Sequence, residues 1–166
     1  MMGSTKFIAV GNGSLPISCA TDQTGTQSCK SSTPLLIKAS LLSPIQITPA
    51  YARGPQGHDT KGCSADSKTP SWAVTAAQLN LGKVGGNLQS GNAFIIIRNN
   101  VLGYSASCGG TLTGATGGQV LSCSPQTVVQ RQSKYQIQTV VLFDPKTFAV
   151  TVNQTWFCDD EDSAKP

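Results

Sequence analysis

Apolar residues recur at every second position in several short stretches of this chain, the signature of strands that bury one face. Residues 147–157 show it most clearly. Phe148, Val150, Val152 and Trp156 share one face there, and Thr147, Thr151, Asn153 and Thr155 the other. Residues 135–143 begin with the same alternation, and Asp144-Pro145-Lys146 supplies turn chemistry between the two stretches, which predicts a hairpin. A second hairpin is predicted where Ala93-Phe94-Ile95-Ile96-Ile97 leads through Asn99-Asn100, a pair suited to positive φ, into residues 101–107. Further strands are expected at residues 72–79, 6–10, 15–18 and 120–123. Residues 35–47 stay open between one strand, two strands and a short helix, ended by Pro44. Residues 109–118, rich in glycine, read as a loop, and residues 48–69 as a surface excursion. Many short strands with turn residues between them, and no internal repeat, point to an all-β domain: an antiparallel β-sandwich or a flattened β-barrel.

A chain of 166 residues with 39% hydrophobic content is enough for one core, so residues 5–166 are read as a single domain. Only 12% of residues are charged, and hydroxyl and amide side chains fill the polar positions. The formal charge of +4 hides an asymmetry, because four of the eight acids lie together in Asp159-Asp160-Glu161-Asp162. The Lys and Arg residues are scattered and not interleaved with aromatics, which argues against a nucleic-acid groove. No stretch reaches the roughly 18 apolar residues of a membrane span. Residues 1–4 read as an expression remnant, with a signal peptide already removed.

Six cysteines (Cys19, Cys29, Cys63, Cys108, Cys123 and Cys158) form an even set without any Cys-x-x-Cys pair. With a single histidine, His58, a zinc site is poorly supplied, and three disulfides in an oxidising compartment are expected. Two sequons, Asn12-Gly13-Ser14 and Asn153-Gln154-Thr155, agree with a secreted glycoprotein.

The run from Asn92 through Ile95-Ile96-Ile97-Arg98-Asn99-Asn100 to Tyr104-Ser105-Ala106-Ser107-Cys108 resembles a segment of small secreted fungal proteins related to the major Alternaria allergen. Cys123, and a strand ending Val152-Asn153-Gln154-Thr155-Trp156-Phe157-Cys158-Asp159-Asp160, are similar to that family as well. In such relatives a stretch like Lys-Phe-x-Ala-x-Gly-x-Gly-Ser-Leu-Pro-x-x-Cys is expected after the Trp-Phe-Cys-Asp-Asp motif. Here it stands at the front, as residues 6–19. A circular permutation with its junction within residues 33–62 accounts for this, and it requires Thr5 to lie close to Pro166. The resemblance implies a Cys108–Cys123 disulfide closing the Gly-rich loop, and the permutation argument implies Cys19–Cys158, which leaves Cys29–Cys63.

The chemistry that the sequence offers is thin. His58 lies in a loop-like Gly-Pro-rich stretch and makes a poor catalytic base. Asp22, Asp59, Asp66 and Asp144 stand in turn-like contexts unsuited to a glycosidase pair. The acidic run at 159–162 lacks the spacing of a calcium loop. Trp72 and Trp156 are of the type that stacks on sugars, but each sits in strand-like alternation where core packing is commoner. Tyr51 and Arg53, in a long polar loop, are residue types enriched at binding hot spots. No enzyme activity, metal or cofactor is expected. The resemblance implies an effector or elicitor that binds a host protein in the plant apoplast and modulates defence, with allergen-like and virulence roles. Carriage of a small aromatic ligand, or a cell-wall carbohydrate-binding role, stand as alternatives.

Overall fold

Alternating burial runs along most of the chain, and the computed structural model, which describes residues 2–47, 62–115, 117–124, 127–130 and 133–162, is accordingly almost all strand. In chain order the elements are β1 (Met2–Ser14), β2 (Ile17–Thr21), β3 (Thr26–Ser31), β4 (Leu35–Lys38), β5 (Ser40–Ile47), the single helical turn α1 (Cys63–Asp66), β6 (Ser71–Val84) and β7 (Asn87–Asn99). They continue with β8 (Tyr104–Thr113), β9 (Gln119–Ser124), β10 (Thr127–Gln130), β11 (Ser133–Gln136), β12 (Gln138–Phe143) and β13 (Ala149–Asp162).

Ten strands join in the order β2-β3-β6-β7-β8-β9-β12-β13-β1-β5, with β4 added along β6, and β10 pairs with β11 separately. Every pairing is antiparallel, and each inner face feeds one core. The expected all-β architecture with three disulfides is therefore present, as one curled sheet in the form of a half-barrel. Register shifts at Val74/Ala76 and Gly82/Lys83 in β6 and at Ile8/Ala9 in β1 mark the bends. Across the opening β1 meets β4. A Cβ at Gly11 would lie 2.7 Å from the Lys38 carbonyl oxygen and 2.8 Å from Ile37 Cγ2, so only glycine allows the two backbones to come so close.

The first strand lies antiparallel to the last, with Thr5 opposite Cys158 and Phe7 opposite Trp156. The closeness of Thr5 to Pro166 expected for a circular permutation falls on Pro166, which is outside the described residues. The Phe7 and Trp156 rings stack at 5.9 Å between centroids, and each buried aromatic contributes roughly 1.5–3 kcal/mol.

Several details depart from the sequence reading. Residues 35–47 form two strands, and Pro44 does not end the second but sits inside β5, opposite Phe7. That is tolerated because β5 is the sheet edge and needs no second ladder. Asn99 and Asn100 do not carry the positive φ of their turn; Gly103 does, at 64°. Asn99 instead points inward, and its Oδ1 accepts from the Val101 and Leu102 amides at 2.8 and 3.1 Å. Phe148 leaves the strand alternation. It lies in the turn before β13 with φ 56° and is half-buried against the core. The Gly109–Gly110–Thr111 stretch is no loop but continues β8 to Thr113. The excursion of residues 48–69 is not all surface, since Cys63, Ser64 and Ser67 are buried.

Two of the expected disulfides are corrected. Cys19 bonds Cys29, not Cys158, and Cys63 bonds Cys158, not Cys29. The reason is local: β2 and β3 form a hairpin in which Cys19 and Cys29 are directly opposite, a pairing hidden because Thr26–Ser31 is polar and offers no hydrophobic alternation. Cys63 opens α1, which packs on β13 and brings it to Cys158. Cys108 and Cys123 are bonded, as a rung between β8 and β9.

Candidate binding surface

The inner face is closed by a polar network that the alternation concealed. Gln154 stands where an apolar residue is expected, and it is buried. Its Oε1 accepts from Trp72 Nε1 at 2.8 Å and Asn99 Nδ2 at 2.7 Å, and its Nε2 donates to Thr139 Oγ1 at 2.8 Å. Trp156 Nε1 donates to Ser67 Oγ at 2.9 Å. Both tryptophans are 0% exposed, so neither forms a sugar-stacking platform; they are core residues with satisfied N–H groups. Burial raises the Tyr104 hydroxyl pKa above its ordinary value.

The acids act in turns. Asp22 Oδ1 accepts from Thr24 Oγ1, the Thr24 amide and the Thr26 amide at 2.7, 2.8 and 3.0 Å, which ties the β2–β3 hairpin. The Thr24 hydroxyl first, then the Thr26 amide, hold its pKa below the ordinary value. Asp144 accepts from the Lys146 amide at 2.9 Å, and Asp66 lies in α1. Tyr51, Arg53, His58 and Asp59 lie outside the described residues, so the loop reading of Tyr51 and Arg53 has no structural account. Asp159 to Asp162 extend β13. Among the described residues no group of three or more His, Cys, Asp or Glu residues is placed to hold a metal ion. No helix among them is long and apolar enough to cross a membrane.

What remains for function is the outer face, which divides into two halves. On β3, β4, β6 and β7 it is cationic and apolar. One row reads Leu36, Ala73, Arg98 and Ser105, and another Lys30, Gln78, Phe94 and Gly109, with Lys38 opposite Ser71. Lys30, Lys38 and Arg98 are exposed, as are Leu36 at 60% and Phe94 at 42%. None of these four strands contains an acid. On β6 the small Ser71 and Ala73 stand beside Lys38 and Leu36 of β4, and Ala73 has Arg98 of β7 on its other side, so a short strip of small residues runs between longer ones. The second half, on β9, β12, β13 and β1, carries Val120, Leu142, Val140 and Val10 among hydroxyls and amides, and it is uncharged from Ile8 to Ser14 and up to Thr155. Asn12 and Asn153 are both exposed on it.

Sequence reasoning missed this surface. The long side chains of its cationic half are spread over residues 30–98, and each looks ordinary until the register places them side by side. No protein-family model matches the chain, and no curated protein or solved structure matches it either.

Proposed function

We propose that this chain is a secreted binding protein that docks an acidic segment of an extracellular host protein on the outer face of β4, β6 and β7. The observation that carries the reading is the strip itself: Leu36 and Lys38 of β4 and Arg98 of β7 flank the small Ser71 and Ala73 of β6, Phe94 lies further along β7 opposite Gln78, and none of these strands contains an acid. Arginine and aromatic side chains are the types enriched at the energetic centres of interfaces, and a one-sign surface steers a partner of opposite charge. Three disulfides support an extracellular setting. The resemblance to the fungal allergen relatives supports the finer reading: an effector or elicitor that meets its partner in the plant apoplast and modulates defence.

The test is capture. Oxidised protein immobilised and exposed to apoplastic fluid is expected to retain an acidic protein. The double variant Lys38→Glu with Arg98→Glu, both exposed positions, is expected to lose it while unfolding at the same denaturant concentration. Capture that survives the double reversal would overturn the assignment of the surface.

A further inference from the structure

We propose that Asn153 is an N-glycosylation site whose glycan covers the uncharged, apolar half of the outer face. The inference rests on the extracellular reading above, though not on the acidic partner.

Both sequons of the chain fall on one two-strand ladder and on one face of it. Asn12 lies in β1 and Asn153 in β13, with Asn12 opposite Thr151 and Val10 opposite Asn153. Asn153 stands at the centre of the apolar cluster. On one side it faces Val140 of β12, 40% exposed, and on the other Val10 of β1. One row along, Thr151 faces Leu142, which in turn faces Val120 at 66% exposure. Directly opposite side chains have Cβ atoms about 4.5–5.5 Å apart and diagonal ones about 7–8 Å. Val10, Val140 and Leu142 therefore surround the Asn153 amide within the reach of a first sugar.

An exposed gathering of Val and Leu without charge needs a cover, because sheets with such faces associate. On the cationic half, Lys30, Lys38 and Arg98 keep the surface hydrated. On this half no charge does so between Ile8 and Ser14 or between Gln138 and Leu142. A bulky, hydrated oligosaccharide rooted at the middle of the patch solves the problem. The neighbouring sequon residues are compatible: Gln154 points into the core, and Thr155 lies half-buried on the outer face, while the Asn153 side chain itself is free to carry a substituent outward.

The modification requires a lipid-pyrophosphate-linked oligosaccharide as donor. Asn153 Nδ2 forms a bond to the anomeric carbon of the first sugar and gives up one proton. The bond from that carbon to the pyrophosphate oxygen breaks, and the lipid pyrophosphate leaves with the electron pair.

The experiment is secretion of the full chain from a eukaryotic host behind a supplied leader, followed by peptide mapping before and after enzymatic glycan release. Asn153 is expected to be occupied and to appear as aspartate after release. Thr155→Ser is expected to keep the glycan, and Asn153→Gln and Thr155→Val, two independent routes, to abolish it at this position. Released protein and both glycan-free variants are expected to bind more of an apolar fluorescent dye and to sediment faster by self-association. Secreted, oxidised protein with Asn153 unmodified overturns the proposal, including the case where Asn12 alone is occupied. Unchanged dye binding and sedimentation after release overturn the covering role. Capture of the acidic partner, read on the same preparations, fails separately: its absence in every glycoform counts against the docking strip and leaves the Asn153 result standing.

Discussion

Replacing Gln154 by methionine removes the hub of the buried network while nearly keeping its volume, so the variant isolates hydrogen bonding from packing. Two donors lose their acceptor: Trp72 Nε1 and Asn99 Nδ2, which reach the buried Gln154 Oε1 at 2.8 and 2.7 Å. A buried donor left unsatisfied costs about 1–3 kcal/mol, so the pair together cost about 2–6 kcal/mol. Native domains hold about 5–15 kcal/mol in total, so the substitution removes a substantial share of that margin. With a urea dependence of about 2 kcal/mol per molar, the unfolding midpoint falls by about 1–3 M. The assay is urea unfolding followed by tryptophan fluorescence with all disulfides intact. A double-mutant cycle with Trp72→Phe sharpens it, because deleting the stranded N–H is expected to cost less in the methionine background than in the parent. A loss below about 1 kcal/mol, no more than an average substitution produces, together with additive behaviour in the cycle, would refute the role given to Gln154.

Two other outcomes follow from the corrected connectivity and from the turns. The Cys63–Cys158 bond closes a loop of 95 residues and Cys19–Cys29 one of 10. In the chain-entropy model their loss costs about 4.7 and about 2.7 kcal/mol, so Cys63→Ser with Cys158→Ser is expected to unfold at lower urea than Cys19→Ser with Cys29→Ser; the reverse order would contradict the pairing. The Asp22 carboxyl has a folded pKa below its unfolded one, so its contribution is present above about pH 4 and is lost as pH falls through the folded value. Amide exchange at Thr24 and Thr26 is expected to speed up selectively in that acid window, and Asp22→Ala to remove the pH dependence.

How much of this was legible in the sequence depended on whether a signal was local. The hairpin of β12 and β13 and the strand β6 follow from apolar alternation, which one sheet face dictates. β3 left no such trace, because Thr26–Ser31 buries little beyond Cys29, and with it went the Cys19–Cys29 pair. Asn99 read as a turn residue and Gln154 only as the middle of a sequon, and a three-dimensional partner set is what makes both core. Phe148 read as strand because its hydrophobicity fits the alternation, while its backbone serves the turn. The cationic strip was invisible for the opposite reason: Lys30, Lys38 and Arg98 are unremarkable singly and gain meaning from cross-strand register.

The docking strip is the central claim, and ionic strength tests it most directly. Screening shortens the reach of charge from about 8 Å at 0.15 M salt to about 3 Å at 1 M. Oxidised protein held on a surface is predicted to retain an acidic apoplastic protein at the lower salt and release it at the higher, and Lys38→Glu with Arg98→Glu to retain none at either. Retention that ignores both salt and charge reversal would contradict the account.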